Sequence, residues 1–262
     1  MQSKKHEGVT EMFKTSFART EIKYRLSASQ FDSFFSSLSG IAHIDEYGKS
    51  KIMNIYYDTP DFRMIRASLE KPLYKEKLRL RTYGIPGRET NAFAEIKKKY
   101  KGTVYKRRIS MPYSLALDYL AGRTPSPVKN QISNEIDYTM KIWENLSPAA
   151  VISYDRIALA GDSDPDLRIT FDDNIRYRTT ALDLTYGDGG KELLKEGEKL
   201  MELKVSGSVP LEIARLLSRY GIYPSGFSKY GNAYTEFSST KTRDNARIIT
   251  PVLTKEGVIR YA

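Results

Sequence analysis

The sequence of 262 residues predicts an α+β fold, one domain of about nine strands with a few amphipathic helices. Three observations carry that expectation. Many segments alternate charged and apolar residues with a period of two, as strands with two unlike faces do. Stripes of Phe and Leu at helical spacing supply dry surfaces for the apolar faces. Acid–base pairs recur at i and i+2 on several strands, so one face of each is ionic where exposed strands usually mix in Thr, Ser and Gln.

Taken in order, residues 1–15 are polar and charged and read as a frayed lead-in. From Phe17 to Leu26 the chain alternates strictly, with Arg19, Glu21, Lys23 and Arg25 on one face and Ala18, Ile22, Tyr24 and Leu26 on the other. Ser27 stands three residues before Gln30, a capping-box spacing. Phe31, Phe34, Phe35 and Leu38 follow at i, i+3, i+4 and i+7, and Gly40 is placed as a stop, which predicts a helix over 28–39. Further strands are expected at 51–57, 75–83, 92–99, 103–110, 150–159, 167–172, 175–182 and 199–205, several separated by Gly- and Pro-rich turns. Helices fit 113–121, 133–146 with Ser133 as cap, and 210–220, which begins at Pro210 and stops at Gly221. Residues 123–131 are the best internal linker, yet strands of one style flank them, so 16–238 reads as a single domain. Residues 239–262 form a basic tail.

Composition narrows the chemistry. Lys and Arg outnumber Asp and Glu by 42 to 32, a formal net charge of +10, so an anionic partner is expected. Cysteine is absent, which removes disulfides, thiolate nucleophiles and Cys-based metal sites. His6 and His43 cannot build a metal cluster, and a Ser-His-Asp apparatus would rest on His43 alone. No apolar run of about 18 residues is present to span a bilayer. The first residues lack the apolar stretch of a secretory signal, which with the missing cysteines fits a cytoplasmic protein. Tyr186-Gly-Asp-Gly-Gly-Lys-Glu lacks the spacing of a phosphate loop and reads as a turn. Lys97-Lys-Lys-Tyr-Lys101 would be a weak nucleic-acid patch, since alternation turns half of it away from any one surface, and no specific nucleic acid is expected as partner.

The ionic faces form a set. Glu21-Ile-Lys23, Glu95-Ile-Lys97 and Glu202-Leu-Lys204 each put an acid and a base on one side of a strand. Lys77, Arg79 and Arg81 repeat the pattern without the acid, and Tyr154 with Arg156 and Arg168 with Asp172 extend it. Any one triplet is ordinary on a solvated strand; the recurrence is the signal. If the sheet closes, these faces meet around a wet lumen. Lys23, Lys77, Arg79, Arg81, Lys97, Arg156, Arg168 and Lys204 would then face Glu21, Glu95, Glu202 and Asp172. Like charges at an effective dielectric near 20 repel by roughly 4 kcal/mol at 4 Å, so such a lumen wants a multiply charged anion. Chained phosphates suit it, because Arg forks bind phosphate oxygens bidentately and Lys acts as a point charge. The carboxylates would suit Mg²⁺ or Mn²⁺.

Glu-Ile-Lys, Lys-Leu-Arg-Leu-Arg, Ala-Glu-Ile-Lys-Lys-Lys, Ser-Tyr-Asp-Arg, Met-Glu-Leu-Lys and Phe227-Ser-Lys-Tyr230 occur in that order between about Phe17 and Phe237. In these motifs the chain resembles the VTC domain, the polyphosphate polymerase branch of the triphosphate tunnel metalloenzymes. The resemblance implies a closed antiparallel β-barrel tunnel of eight or nine strands, with helices packed on the outside and a divalent metal, Mn²⁺ or Mg²⁺, as cofactor. It implies transfer of the γ-phosphate of ATP to a growing inorganic polyphosphate chain. Position by position it makes Lys23, Arg79, Arg81, Lys97, Arg156 and Lys204 the catalytic phosphate-binding set. Tyr154, Ser228, Lys229, Arg168 and Lys77 complete the substrate contacts. Glu202 holds the metal, with Glu21 and Glu95 as second-choice metal or orienting groups. Arg107 or Arg108 belongs to the set if its register points inward. Eukaryotic relatives couple synthesis to translocation through membrane spans that this sequence does not carry, so a membrane-associated partner protein is a further expectation. Competing expectations are an inorganic triphosphatase or nucleoside triphosphatase on the same tunnel, and a polyphosphate- or RNA-binding module without turnover.

Overall fold

The computed structural model describes the backbone of residues 19–101, 103–248, 252–253 and 259–260, and side chains over 20–101 and 103–240. The expected lead-in at 1–15 lies outside the described residues, as does most of the expected tail.

Nine strands form one antiparallel sheet: β1 (Arg19–Leu26), β2 (Ala42–Asp58), β3 (Tyr74–Tyr83), β4 (Asn91–Tyr100), β5 (Thr103–Pro112), β6 (Ser147–Gly161), β7 (Arg168–Arg178), β8 (Lys191–Glu192) and β9 (Lys199–Ser206). The order across the sheet is β1-β9-β7-β6-β2-β3-β4-β5, with the short β8 paired to β7. Six helices accompany it: α1 (Ala28–Ser36), α2 (Arg63–Leu69), α3 (Tyr113–Leu120), α4 (Gln131–Ile142), α5 (Leu211–Arg219) and α6 (Lys229–Ile248). A two-residue pair, Val252–Leu253 with Ile259–Arg260, lies beyond α6. Among the described residues no helix is long and apolar enough to cross a membrane.

Most elements stand where the alternation puts them, and the departures have local causes. β2 and β6 are longer than expected because they pair with each other from Ala42/Gly161 to Asp58/Ser147, through two irregularities. The strands expected at 167–172 and 175–182 are one strand, β7. Asn174 takes a left-handed φ of +48° there, and the β6–β7 register shifts between Ser153 and Asp155, so the polar Asp-Asp-Asn run makes a bulge in place of a turn. The Ser27–Gln30 capping box of α1 forms as expected. In α4 the cap is Asn130: its side chain accepts from the Ser133 amide at 2.9 Å, while Ser133 Oγ accepts from the Asn130 amide at 3.0 Å.

Two helices carry no clear mark in the sequence. The amides of Met64 and Ile65 at the start of α2 donate to the buried Asp58 carboxylate at 2.9 and 3.0 Å, from a residue too far upstream to read as a cap. α6 is preceded by Ser228, whose Oγ accepts from the Gly231 amide at 3.2 Å and whose carbonyl accepts from the Asn232 amide. Its buried stripe, Tyr230, Ala233 and Phe237, is diluted by Ser, Thr and Lys.

The apolar side chains divide into three cores. One lies between α3 and α4 and the outer faces of β2–β5, around Met53, Ile55, Leu78, Leu80, Ala94 and Ile96. A second lies between α1 and α5 and the outer faces of β1, β9, β7 and β6, around Tyr24, Leu26, Ile169, Phe171, Met201 and Leu203. The third is on the opposite face: Ile52, Tyr56, Ile152, Tyr154, Tyr177 and Leu200 pack against Ile65 of α2 and Tyr230, Ala233 and Phe237 of α6. The expectation that the helices sit on the outside holds for α1, α3, α4 and α5. It fails for α2 and α6, because part of the inner face is apolar and those two helices cover it.

Closure also differs from the expectation. The path of hydrogen-bonded strands ends at β1 on one side and β5 on the other, so no ladder closes the ring. The sheet is nevertheless strongly curled, since Lys97 of β4 reaches Glu21 of β1 at 3.3 Å. The free edge of β1 is occupied by the link between α5 and α6: Tyr24 bridges to Pro224, and the Ser225 amide donates to the Lys23 carbonyl at 2.7 Å. That link supplies edge hydrogen bonds to β1 where a neighbouring strand is missing.

Candidate functional site

Cross-strand register fixes which ions share the concave face. Glu21 stands opposite Lys204, and Lys23 opposite Glu202. Arg156 stands opposite Asp172. Arg79 stands between Tyr56 of β2 and Glu95 of β4, and Arg81 between Asn54 and Phe93. Lys77 is opposite Lys97, which is opposite Lys106 of β5. Directly opposed residues in an antiparallel pair project to the same side, so these side chains converge.

Around β1 and β9, Lys23 Nζ lies 3.6 Å from Glu21 and 3.8 Å from Glu202, and donates to the Phe227 carbonyl at 3.1 Å. Lys204 pairs with Glu202 at 2.8 Å. Burial alone would raise the Glu202 carboxyl, but Lys204 and Lys23 hold it far below its usual range.

In the middle of the face, Arg79 donates to Glu95 and to the Tyr56 hydroxyl at 2.8 and 3.1 Å. Arg81 donates to Asn54 and to the Tyr154 hydroxyl at 2.9 and 3.2 Å. Glu95 is 1 % exposed and also meets Lys106 at 2.8 Å. Burial would raise its carboxyl, yet Arg79, Arg81 and Lys106 bring it down to about 2. Burial would likewise raise the Tyr56 phenol, but Arg79 and Lys77 lower it to about 8.

The third group is built on α6. Lys229 Nζ meets the buried Asp172 carboxylate at 2.5 Å and lies 4.3 Å from the Tyr154 ring centroid. Arg156 takes both oxygens of Asp172 in a fork, at 2.6 and 2.8 Å. Ser228 accepts from Lys77 Nζ at 2.9 Å. The N-terminus of α6 therefore points its positive dipole end among these cations.

Lysines on this face are held at a cost to their charge. Burial lowers Lys77 to about 8, with Lys23 and Lys97 adding repulsion. Burial lowers Lys106 to about 8 against the pull of Glu95, and lowers Lys97 against that of Glu21. A multiply charged anion placed here removes that repulsion.

Of the expected residues, Lys23, Lys77, Arg79, Arg81, Lys97, Arg156, Lys204, Tyr154, Ser228 and Lys229 are thus gathered on one concave face with Glu21, Glu95 and Glu202. Arg168 is the exception. It stands opposite Lys204 but is exposed, donates to the Leu167 carbonyl at 3.4 Å, and leaves Asp172 to Arg156 and Lys229. The ambiguous Lys106-Arg107-Arg108 register is resolved: Lys106 and Arg108 face inward, while Arg107 reaches Glu135 of α4 at 3.9 Å. Tyr56, Asn54 and Lys106 were not on the expected list. Tyr56 and Asn54 lie in a mostly apolar stretch of β2 with no Lys or Arg at i±2 to mark them, and only the register of β5 reveals Lys106.

For a divalent ion, the described residues offer no group of three or more His, Asp or Glu side chains. Glu21 and Glu202 meet around Lys23, and two carboxylates suit an Mg²⁺-like ion that takes its other ligands from phosphates and water. Glu95 is engaged elsewhere, by Arg79, Arg81 and Lys106.

The profile of the VTC domain matches residues 18–238. No curated protein matches the chain. Among solved structures, a candidate adenylate cyclase from Bacillus halodurans is similar at 16 % identity and a TM-score of 0.51, over 80 % of this chain and 95 % of the other. A candidate adenylate cyclase from Vibrio parahaemolyticus is similar at 11 % identity and a TM-score of 0.45, over 84 % and 99 %. A candidate adenylyl cyclase from Hippeastrum, described as having a dominant triphosphatase activity, is similar at 16 % identity and a TM-score of 0.46, over 80 % and 92 %. With the profile spanning most of the sequence, the chain belongs to the VTC domain family.

Proposed function

We propose that the protein is an ATP-dependent polyphosphate polymerase, transferring the γ-phosphate of ATP to a growing inorganic polyphosphate chain along its concave face. The observation that carries the reading is the excess of Lys and Arg over Glu and Asp on that face, arranged along successive strands. Family membership agrees with it. A bore closed by side chains and the 222–228 link, in place of a ninth ladder, is part of the same proposal.

Phosphoryl transfer asks for alignment and charge stabilisation more than for covalent chemistry. Arg79 and Arg81 are preorganised by Tyr56, Glu95, Asn54 and Tyr154, so their guanidinium planes need little reordering to meet phosphate oxygens. Lys77, Lys97, Lys106 and Lys204 extend positive charge along the face, and Arg156, Lys229 and Ser228 close it beside α6. Glu202, with Glu21 beside it, would hold Mg²⁺ or Mn²⁺, which neutralises charge on the transferring phosphates. A terminal phosphate oxygen of the acceptor bonds to the γ-phosphorus as the bond to the β,γ-bridging oxygen breaks and ADP leaves, so no protein nucleophile is required.

The test is incubation with ATP and either ion, followed by gel analysis for long-chain polyphosphate. Product that is lost in Arg79→Ala supports the reading, provided thermal melts show the variant folded. Orthophosphate release without polymer identifies a triphosphatase, and binding without turnover identifies a polyanion-binding module; either rejects polymerase activity.

A further inference from the structure

The ionic face does not end in ions at the β3–β4 turn. Phe93 stands directly opposite Arg81, so it faces the same side. Tyr83, the last residue of β3, stands opposite Ile52 of the inner core and so faces that side too. The two rings meet edge to face at 5.8 Å. Arg108, opposite Glu95 on β5, lays its guanidinium over the Phe93 ring at 4.7 Å. Tyr83 is 49 % exposed, although a tyrosine on an inner face would normally be packed.

Resting on the functional reading above, we propose that Tyr83, Phe93 and Arg108 form a stacking ledge for the base of a purine nucleoside triphosphate. The ligand lies with its base at this mouth and its phosphates running inward to Arg81 and Arg79. Three arguments converge. An exposed aromatic edge beside a planar cation is the surface on which bases stack, and stacking reads the π-face, not the hydrogen-bonding edge. The ledge is continuous with the arginines, since Phe93 is cross-strand from Arg81. The spacing also fits: four residues of strand separate Tyr83 from Arg79, roughly 13 Å, comparable to the length of an extended nucleotide from base to terminal phosphate. On the concave face the far end of β3 carries Lys75 and Lys99 opposite each other, and the exposed Tyr74 and Tyr100 there stand on the outer face. The ledge therefore assigns a direction to the site, with the nucleoside at the Tyr83 end.

The test compares ATP with inorganic triphosphate by calorimetric titration, in the wild type and in Tyr83→Ala and Arg108→Gln. Tyr83 is half exposed and Arg108 exposed, so both variants are expected to fold. The ratio of the ATP Kd to the triphosphate Kd should rise about five- to a hundredfold in Tyr83→Ala, the range for one lost stacking contact. Quenching of a 2-aminopurine nucleoside triphosphate on binding should diminish in the same variant. An unchanged ratio and unchanged quenching overturn the ledge while leaving triphosphate binding, and the function built on it, intact. Failure of the wild type to bind inorganic triphosphate overturns the functional reading and the ledge together.

Discussion

Burial lowers the Lys77 amine to about 8, and partial desolvation lowers that of the more exposed Lys106 to about 8 as well. In the free protein they are fully charged only below that value, and a bound polyphosphate anion favours the charged form. Affinity for tripolyphosphate should therefore be highest below pH 8 and fall as pH rises toward 9.5. Titration calorimetry across that range checks it, and a flat profile would contradict the assignment. Asp172 makes a second residue-scale case. It is 1 % exposed and holds both Arg156 and Lys229. Asp172→Ala leaves two cations facing each other without their carboxylate, so a loss of about 3–5 kcal/mol in urea unfolding is expected. At this scale the sequence was legible wherever charge alternation marked the strand, as at Glu21/Lys23 and Lys77/Arg79/Arg81. It was silent at Tyr56 and Asn54, whose inward direction follows from pairing with Arg79 and Arg81 alone.

Among the elements, α6 and α2 depend on one carboxylate. Asp58 accepts from the amides of Thr59, Met64 and Ile65 and from the Tyr230 hydroxyl. Tyr230→Phe removes one charge-assisted hydrogen bond and keeps the 4.7 Å stack on Tyr56, so a loss of roughly 1.5–3 kcal/mol is expected. Asp58→Ala should cost more and should also expose the Met64 and Ile65 amides to hydrogen exchange, which Tyr230→Phe should not. Protection of those amides in both variants would remove Asp58 from its capping role. These two helices are where sequence reading failed. The cap of α2 lies upstream across a left-handed Phe62, and the apolar stripe of α6 is sparse because it faces a half-ionic cavity. By contrast, α1 carries a plain cap, α1 and α5 both carry stripes and stops, and β3, β4, β5 and β9 stand close to their expected bounds.

At the scale of the whole molecule, buried repulsion on the concave face makes stability depend on what occupies it. Tripolyphosphate at a hundred times its Kd should add about 2.7 kcal/mol of stability, read as a rise in Tm. The rise should shrink in 0.5 M salt, since the Debye length is then only a few ångströms. Equal rises at low and high salt would argue against an ionic site. The general architecture was legible because ionic and apolar faces must segregate in any curled sheet; the closure was not, because it depends on what happens at two edges. There, side-chain contacts, Lys97 to Glu21 and Lys77 to Ser228, stand where a closed barrel would have a ladder of amides. On the proposed function, phosphates that pair with Lys97 and Lys77 would draw them away from Glu21 and Ser228, so occupancy of the face and the contacts across its open edge are coupled.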